Sequence, residues 1–284
     1  CIILPIYNKK NNEKKNYLKI SQANKIISID KDENIMVKGL PYDSKSDLIQ
    51  KLRDENIPGL IIFSSGSSGI PKAAVHNFNN LLSKFDKKRL PLIAINFLLF
   101  DHWGGLNTMF HILSNGGTLV LIDNRAPEIV AKAVEEHKIE LLPASPTFLN
   151  LFILSSVHKK YNLSSLKIIS YGTEPMPMTT LTRLKKIFPK VKLQQTYGLI
   201  EVGVLSSKSE SDESLWVKVG GEGYKIRIVD GLLEIKSHSV MLGYLNAKNP
   251  FTADGWYKTG DKVIEKNGFI KILGRKSEVI NVGG

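Results

Sequence analysis

The sequence predicts an α/β fold: layered, mostly parallel sheets with flanking helices, plus a small antiparallel β subdomain. Two observations predict it. Through residue 205, short apolar runs of strand length alternate with helix-length segments, which is the pattern of a layered α/β sheet. Beyond residue 206 the helical segments stop, and short strands follow one another between Gly, Asp and Ser, as in antiparallel sheets.

Composition narrows the class. The chain has 284 residues, enough for a large core and for two domains. Its apolar content of 42% and charged content of 23% are those of a globular protein. The longest apolar runs, such as 93–100, are far too short to span a bilayer, so no transmembrane segment is expected. One cysteine excludes an internal disulfide framework and fits a reducing, cytoplasmic setting. The net charge of +12 raises the question of nucleic acid. Most of the excess is lysine spread along the chain, without a basic stripe interleaved with aromatics. Solvated surface lysines are the expected reading, and no nucleic-acid partner is expected.

In chain order, Cys1–Tyr7 reads as a buried strand with no turn before it, so a missing N-terminal segment is expected. Residues 8–19 read as an exposed polar helix or loop, Lys25–Asp30 as a strand and Ser46–Glu55 as an amphipathic helix. Gly59–Phe63 is an apolar strand. It runs into Ser64-Ser65-Gly66-Ser67-Ser68-Gly69-Ile70-Pro71-Lys72, and Val75–Phe85 is read as a helix beyond it. The glycines let the backbone turn tightly and approach a ligand. Serine hydroxyls, main-chain N–H groups and the Lys72 ammonium donate to anionic oxygens. This is chemistry suited to a triphosphate, and a small polar surface loop is the alternative. Lys72 is followed by Ala73 and not by Ser or Thr, so the magnesium-holding hydroxyl of the commonest phosphate loop is missing.

Pro91–Phe100 is read as a strand ending at Asp101-His102-Trp103-Gly104-Gly105, with a helix over Leu106–Ser114 and a strand over Thr118–Asp123. His102 then lies at a strand exit, where open α/β sheets bind ligands; a helix-capping role is the alternative. Pro127–His137 is a helix and Ile139–Leu142 a strand. Pro143 to Thr147 turns into a helix over Phe148–Ser156. A strand over Leu166–Tyr171 ends in Gly172-Thr173-Glu174-Pro175, before a helix over Met178–Phe188. Val191–Thr196 is a strand ending in Tyr197-Gly198-Leu199-Ile200-Glu201. The polar run Ser206–Ser214 reads as a linker. Strands are expected over Leu215–Val219, Lys225–Val229, Leu232–Lys236, Val240–Leu242 and Gly268–Leu273. Trp256-Tyr257-Lys258-Thr259-Gly260-Asp261 lies among them, and Gly274-Arg275-Lys276-Ser277 opens the last segment.

These blocks, in this order, resemble the adenylate-forming (AMP-binding) superfamily of acyl- and aryl-CoA synthetases, luciferases and peptide-synthetase adenylation domains. The loop from Ser64 to Lys72 matches its phosphate loop except that Ala73 stands for a Gly. Phe100-Asp101-His102-Trp103-Gly104-Gly105-Leu106 matches its Phe-His-x-x-Gly-Leu segment with Asp inserted. Tyr197 to Glu201 matches its Tyr-Gly-x-Thr/Ser-Glu block with Ile200 in the hydroxyl position.

The resemblance implies an ATP-dependent acid ligase. A carboxylic acid attacks the α-phosphate, pyrophosphate leaves, and the acyl-adenylate passes its acyl group to CoA or to the phosphopantetheine thiol of an acyl carrier protein. Fatty acid metabolism is the setting it suggests. It implies phosphate contacts from Ser64, Ser65, Gly66, Ser67, Ser68, Gly69 and Lys72. Gly172, Thr173, Glu174 and Pro175 would line the adenine edge. Thr196, Tyr197 and Gly198 would carry the base, with Tyr197 stacking on it. Glu201 would hold Mg2+, Asp261 the ribose diol and Arg275 ribose or phosphate. Lys72, Glu201 and His102 are the catalytic set implied, with His102 gating the acid pocket. If Asp101 instead held a substrate ammonium, the chain would be an amino-acid or carrier-loading adenylation domain. The absence of a hydroxyl at Ile200 allows a catalytically weakened nucleotide-binding remnant. The division implied is residues 1–205 for ATP and acid, 206–273 as the β subdomain, and 274–284 as a hinge into a further C-terminal domain.

Overall fold

The computed structural model describes residues 1–7, 10–64, 70–221 and 223–275. The first elements are strand β1 (Ile2–Ile3), helix α1 (Asn11–Ser21), strands β2 (Lys25–Ile29) and β3 (Ile35–Gly39), and helix α2 (Asp47–Asp54). Strands β4 (Gly59–Ser64) and β5 (Lys72–Asn77) and helix α3 (Phe78–Leu82) follow. Next come β6 (Ile93–Asn96), α4 (Trp103–Ser114), β7 (Thr118–Leu121), α5 (Pro127–His137), β8 (Leu141–Ala144), α6 (Pro146–Leu154), β9 (Ile168–Tyr171), α7 (Met178–Ile187) and β10 (Lys192–Gln195). The remaining strands are β11 (Tyr197–Leu199), β12 (Gly203–Ser209), β13 (Val217–Gly220), β14 (Tyr224–Val229), β15 (Leu232–Ser237), β16 (Gly243–Tyr244), β17 (Tyr257–Lys266) and β18 (Phe269–Arg275). The chain divides into two compact units, one of residues 1–83 with 241–249, the other of residues 84–240 with 250–284.

In the first unit, a four-stranded sheet has the order β1-β4-β5-β16. β1 runs parallel to β4, whereas β5 is antiparallel to β4 and to β16. Ile61, Phe63, Ala73 and Val75 are buried against Tyr17 of α1 and Ile49 and Leu52 of α2. Tyr17 lies flat on Phe63, ring centres 3.9 Å apart. The helix expected over 75–85 is therefore corrected: Lys72–Asn77 is a strand, and helix begins only at Phe78. Ala73, Ala74 and Val75 are fully buried, and a strand covered on both faces has no alternation to betray it. β2 and β3 form a separate antiparallel hairpin, and β3 was not expected from its polar surroundings.

In the second unit, a five-stranded sheet of order β10-β9-β8-β6-β7 is parallel throughout. Leu142, Ile169 and Leu193 of its strands pack on Val130 and Val134 of α5, Leu149 and Phe152 of α6, and Leu181 and Leu184 of α7. Pro127 starts α5 where its missing N–H costs nothing, and the Ser145 side chain accepts from Phe148 N (3.1 Å) to cap α6. A seven-stranded sheet follows, β11-β12-β13-β18-β17-β15-β14, antiparallel at every pairing among the described residues. The α/β class with added antiparallel strands is thus the observed fold.

Other boundaries differ. The opening strand shrinks to Ile2–Ile3, and the strand expected over 91–100 to Ile93–Asn96. The strand expected at 240–242 lies instead at Gly243–Tyr244. The run Ser206–Ser214, read as a linker, begins as strand: Ser206–Ser209 pairs with Val217–Gly220. Its serines have structural partners, since Ser207 Oγ donates to the Gln195 carbonyl (2.6 Å) and Ser209 Oγ accepts from Gln195 N (3.0 Å). A polar strand is stable here because its hydroxyls complete the backbone bonding of β10.

Candidate active site

In the first unit, Ser64 ends β4 and Lys72 begins β5, opposite each other in the ladder. Ser65, Gly66, Ser67, Ser68 and Gly69 lie outside the described residues. Lys72 is half-buried, with Nζ 5.7 Å from the centre of the Tyr244 ring. The departure at Ala73 has a physical basis. Ala73 is an extended strand residue with no positive φ, and its methyl is buried in the core, so glycine is not required there.

In the second unit, four expected residues gather. Tyr197 begins β11 and donates its hydroxyl to Asp261 Oδ2. Arg275, at the end of β18, donates Nε to Asp261 Oδ1 at 3.2 Å. Asp261 is held in turn by its own N–H, which donates to Thr259 Oγ1 (3.0 Å), while Thr259 Oγ1 donates to the Leu233 carbonyl (2.7 Å). Burial and the neighbouring Asp261 charge push the Tyr197 hydroxyl well above the usual tyrosine range, so it stays a donor. Burial works against the Arg275 charge, and the Asp261 and Glu201 carboxylates more than offset it. Glu201 thus belongs to the same electrostatic neighbourhood and is itself buried. Tyr197 is only 5% exposed, so its ring is part of the packing around Asp261.

The turn after β9 is tight. An added Cβ on Gly172 would come within 2.5 Å of Thr196 Oγ1 and 2.7 Å of the Thr196 carbonyl. Thr196 fills that space because its N–H and Oγ1 both donate to the Tyr171 carbonyl (2.7 and 3.0 Å). Thr173 has a φ of +74°, a strained conformation for a β-branched residue. Glu174 accepts from Thr147 N (2.7 Å) and so caps α6. Gly198 lies opposite Val204 in the β11–β12 pair.

At the start of α4, Asp101 is buried and His102 half-exposed, with His102 Nε2 3.7 Å from Asp101 Oδ1. His102 occupies the N-cap position, yet its side chain does not make the capping bond. Trp103 donates its indole N–H to the Ile200 carbonyl (2.9 Å), tying α4 to the residue before Glu201. Neither Trp103 nor Thr259 was singled out for such a role by its type. Both sit inside motif blocks, and that position was the available signal.

Among the described residues no group of three His, Cys, Asp or Glu side chains could hold a metal ion. A single buried carboxylate such as Glu201 fits Mg2+, which usually takes one or two protein carboxylates together with phosphate oxygens and water. No helix among the described residues is long and apolar enough to cross a membrane.

The fold is α/β, with Tyr197, Asp261 and Arg275 joined by hydrogen bonds in its second unit. The model of the AMP-binding enzyme family matches residues 3–257, and the chain belongs to that family. It is 28% identical over 258 residues to a 4-coumarate–CoA ligase-like protein (number 9) of Arabidopsis thaliana, covering 80% of this chain and 46% of the relative. It is 26% identical over 293 residues to the luciferin 4-monooxygenase of Photuris pensylvanica, covering 92% of this chain and 52% of the relative. Its fold is similar to that of the amide bond synthetase McbA from Marinactinospora thermotolerans, with a TM-score of 0.67, 22% identity, and coverage of 76% of this chain and 48% of the other. The chain spans about half the length of the curated relatives it matches.

Proposed function

We propose that this chain carries the adenylating site of an AMP-forming acid–thiol ligase. The supporting observation is the buried Asp261 carboxylate held by Tyr197 and Arg275, with Glu201 close enough to act on the same arginine. Asp261 would accept the ribose hydroxyls, a carboxylate being suited to a vicinal diol. Lys72 and the loop of residues 64–69 would donate to the phosphates. The turn at 172–175 and residues 196–198 would line the adenine. Glu201 would hold Mg2+, which when bound neutralises phosphate charge.

In the reaction, a carboxylate oxygen of the acid attacks the α-phosphorus, and the bond to the bridging oxygen breaks as pyrophosphate leaves. The thiol sulfur of CoA or of a carrier arm, giving up its proton, then attacks the acyl carbon and releases AMP. The protein supplies positioning and charge stabilisation. The name of the Arabidopsis relative, a 4-coumarate–CoA ligase-like protein, favours CoA as the acceptor and an aryl acid as the substrate, with a fatty acid as the other acid class. The half-exposed His102 suits the gate of the acid pocket better than the buried Asp101 suits an ammonium ligand. Residues 1–205 and the β subdomain of 206–273 would share these roles, residues 274–284, of which 276–284 lie outside the described residues, would form the hinge, and the setting would be cytoplasmic.

The test is ATP–pyrophosphate exchange in the full-length protein with a panel of aryl, fatty and amino acids. Exchange with aryl or fatty acids is expected. Exchange with amino acids alone would replace this reading by a carrier-loading domain. A second reading, nucleotide binding with weakened catalysis, is favoured by Ile200, which places an alkyl group where a hydroxyl is expected. Tight ATP binding with no exchange for any acid would establish it.

A further inference from the structure

We propose that Asn246 is a positioning residue for Lys72, acting as a side-chain splice that fixes the main chain on both sides of the lysine. The proposal rests on the reading of Lys72 as the phosphate-binding cation.

Asn246 Oδ1 accepts from Ala73 N at 2.9 Å, and Asn246 Nδ2 donates to the Pro71 carbonyl at 2.8 Å. The two bonds bracket Lys72. A carboxamide carries one acceptor and two donors in a plane, the pattern of a peptide group, so it can stand in for one more rung of a ladder. It does so here. β16 pairs with β5 through Gly243 opposite Val75 and Tyr244 opposite Ala74. Leu242 N donates to the Val75 carbonyl (2.7 Å) and Leu245 N to the Ala73 carbonyl (3.0 Å). One position further on, the backbone no longer serves, and the Asn246 side chain continues the pairing onto residues 73 and 71. Pro71 has no N–H, so only its carbonyl can be held, and Asn246 supplies the donor. The same segment provides the Tyr244 ring beside the Lys72 ammonium. Tyr244 is fixed by its N–H, which donates to Asn249 Oδ1 (2.8 Å). Asn246 is exposed, and its two bonds go to the main chain on either side of Lys72. Its placement therefore serves the lysine more than the core.

The test is a double-mutant cycle read as affinity for ATP with Mg2+, by calorimetric titration, with urea unfolding of each variant measured alone. Asn246→Ala is expected to weaken ATP binding by about fivefold and Lys72→Ala by more, with the double variant no weaker than Lys72→Ala. Asn246→Ser, which keeps a group able to serve either partner, should fall between Asn246→Ala and the parent; it also serves if Asn246→Ala does not fold. In exchange assays the Asn246 variants should raise KM for ATP and leave KM for the acid unchanged. Undiminished ATP affinity in Asn246→Ala, or an effect that multiplies that of Lys72→Ala, would overturn the splice while leaving the ligase reading intact. Unchanged ATP affinity in Lys72→Ala would overturn both.

Discussion

At the scale of single residues, the most informative are polar groups held away from water. Tyr197→Phe removes the donor to Asp261 and leaves a buried carboxylate one bond short. A loss of about 1–3 kcal/mol in urea unfolding is expected. A raised KM for ATP should accompany it if Asp261 binds ribose. Lys84 is a second case, with Nζ donating to Asn107 Oδ1 on α4 (2.5 Å) and to the Val204 carbonyl on β12 (2.6 Å). Burial, with the Arg89 charge adding to it, lowers this amine to about 7. His111 on α4 faces the same cluster and is itself lowered by burial, by Arg89 and by Lys84. An unfolded lysine keeps its proton to about pH 10.4, so between about pH 7 and pH 10 the unfolded chain binds the extra proton. Stability contributed by this site therefore rises with pH through that window and is flat below it. Lys84→Met should abolish that rise, seen by comparing unfolding midpoints of parent and variant at pH 7 and pH 9.5. Tyr197, Glu201, Asp261 and Arg275 were legible in the sequence because each sits in a block of fixed spacing. Lys84 and Asn246 were not, because their partners are 23 to 175 positions away in sequence.

At the scale of elements, the parallel sheet was the easier part to read. Its strands are short apolar runs, and helices such as 127–137 announce themselves by a Pro at the start and apolar periodicity along one face. β5 was misread because Lys-Ala-Ala-Val is as good a helix segment as a strand, and only its pairing with β4 decides. The two loops around α6 show how elements share parts. The Ser145 side chain and the Glu174 carboxylate each accept one N–H of the first turn of this helix. Glu174→Ala should cost about 0.5–1 kcal/mol by leaving one of these donors unmet beside the positive end of the helix. Urea unfolding of Glu174→Ala, Ser145→Ala and the double variant would show whether the two acceptors act independently on α6.

At the scale of the molecule, the division into two units has a spectroscopic consequence. The three tryptophans, Trp103, Trp216 and Trp256, all belong to the second unit. Tryptophan fluorescence therefore reports unfolding of that unit alone, whereas far-ultraviolet circular dichroism reports helices and strands of both. If the units unfold independently, the two probes should give urea transitions with different midpoints. Coincident transitions would mean a single cooperative unit. The motif order made the class of molecule legible, but not this division. Residues 241–249 join the first unit although their sequence neighbours on both sides belong to the second, and nothing in local composition marks such a return.

The strand that begins at Lys72 separates two variables usually coupled in nucleotide sites. No helix starts at Lys72, so no macrodipole points from it toward an anion. Lys72 is held by its rung to Ser64 and by the 243–246 return. Adding or deleting a residue between positions 65 and 69 should then alter the fit to a nucleotide while leaving the cation anchored.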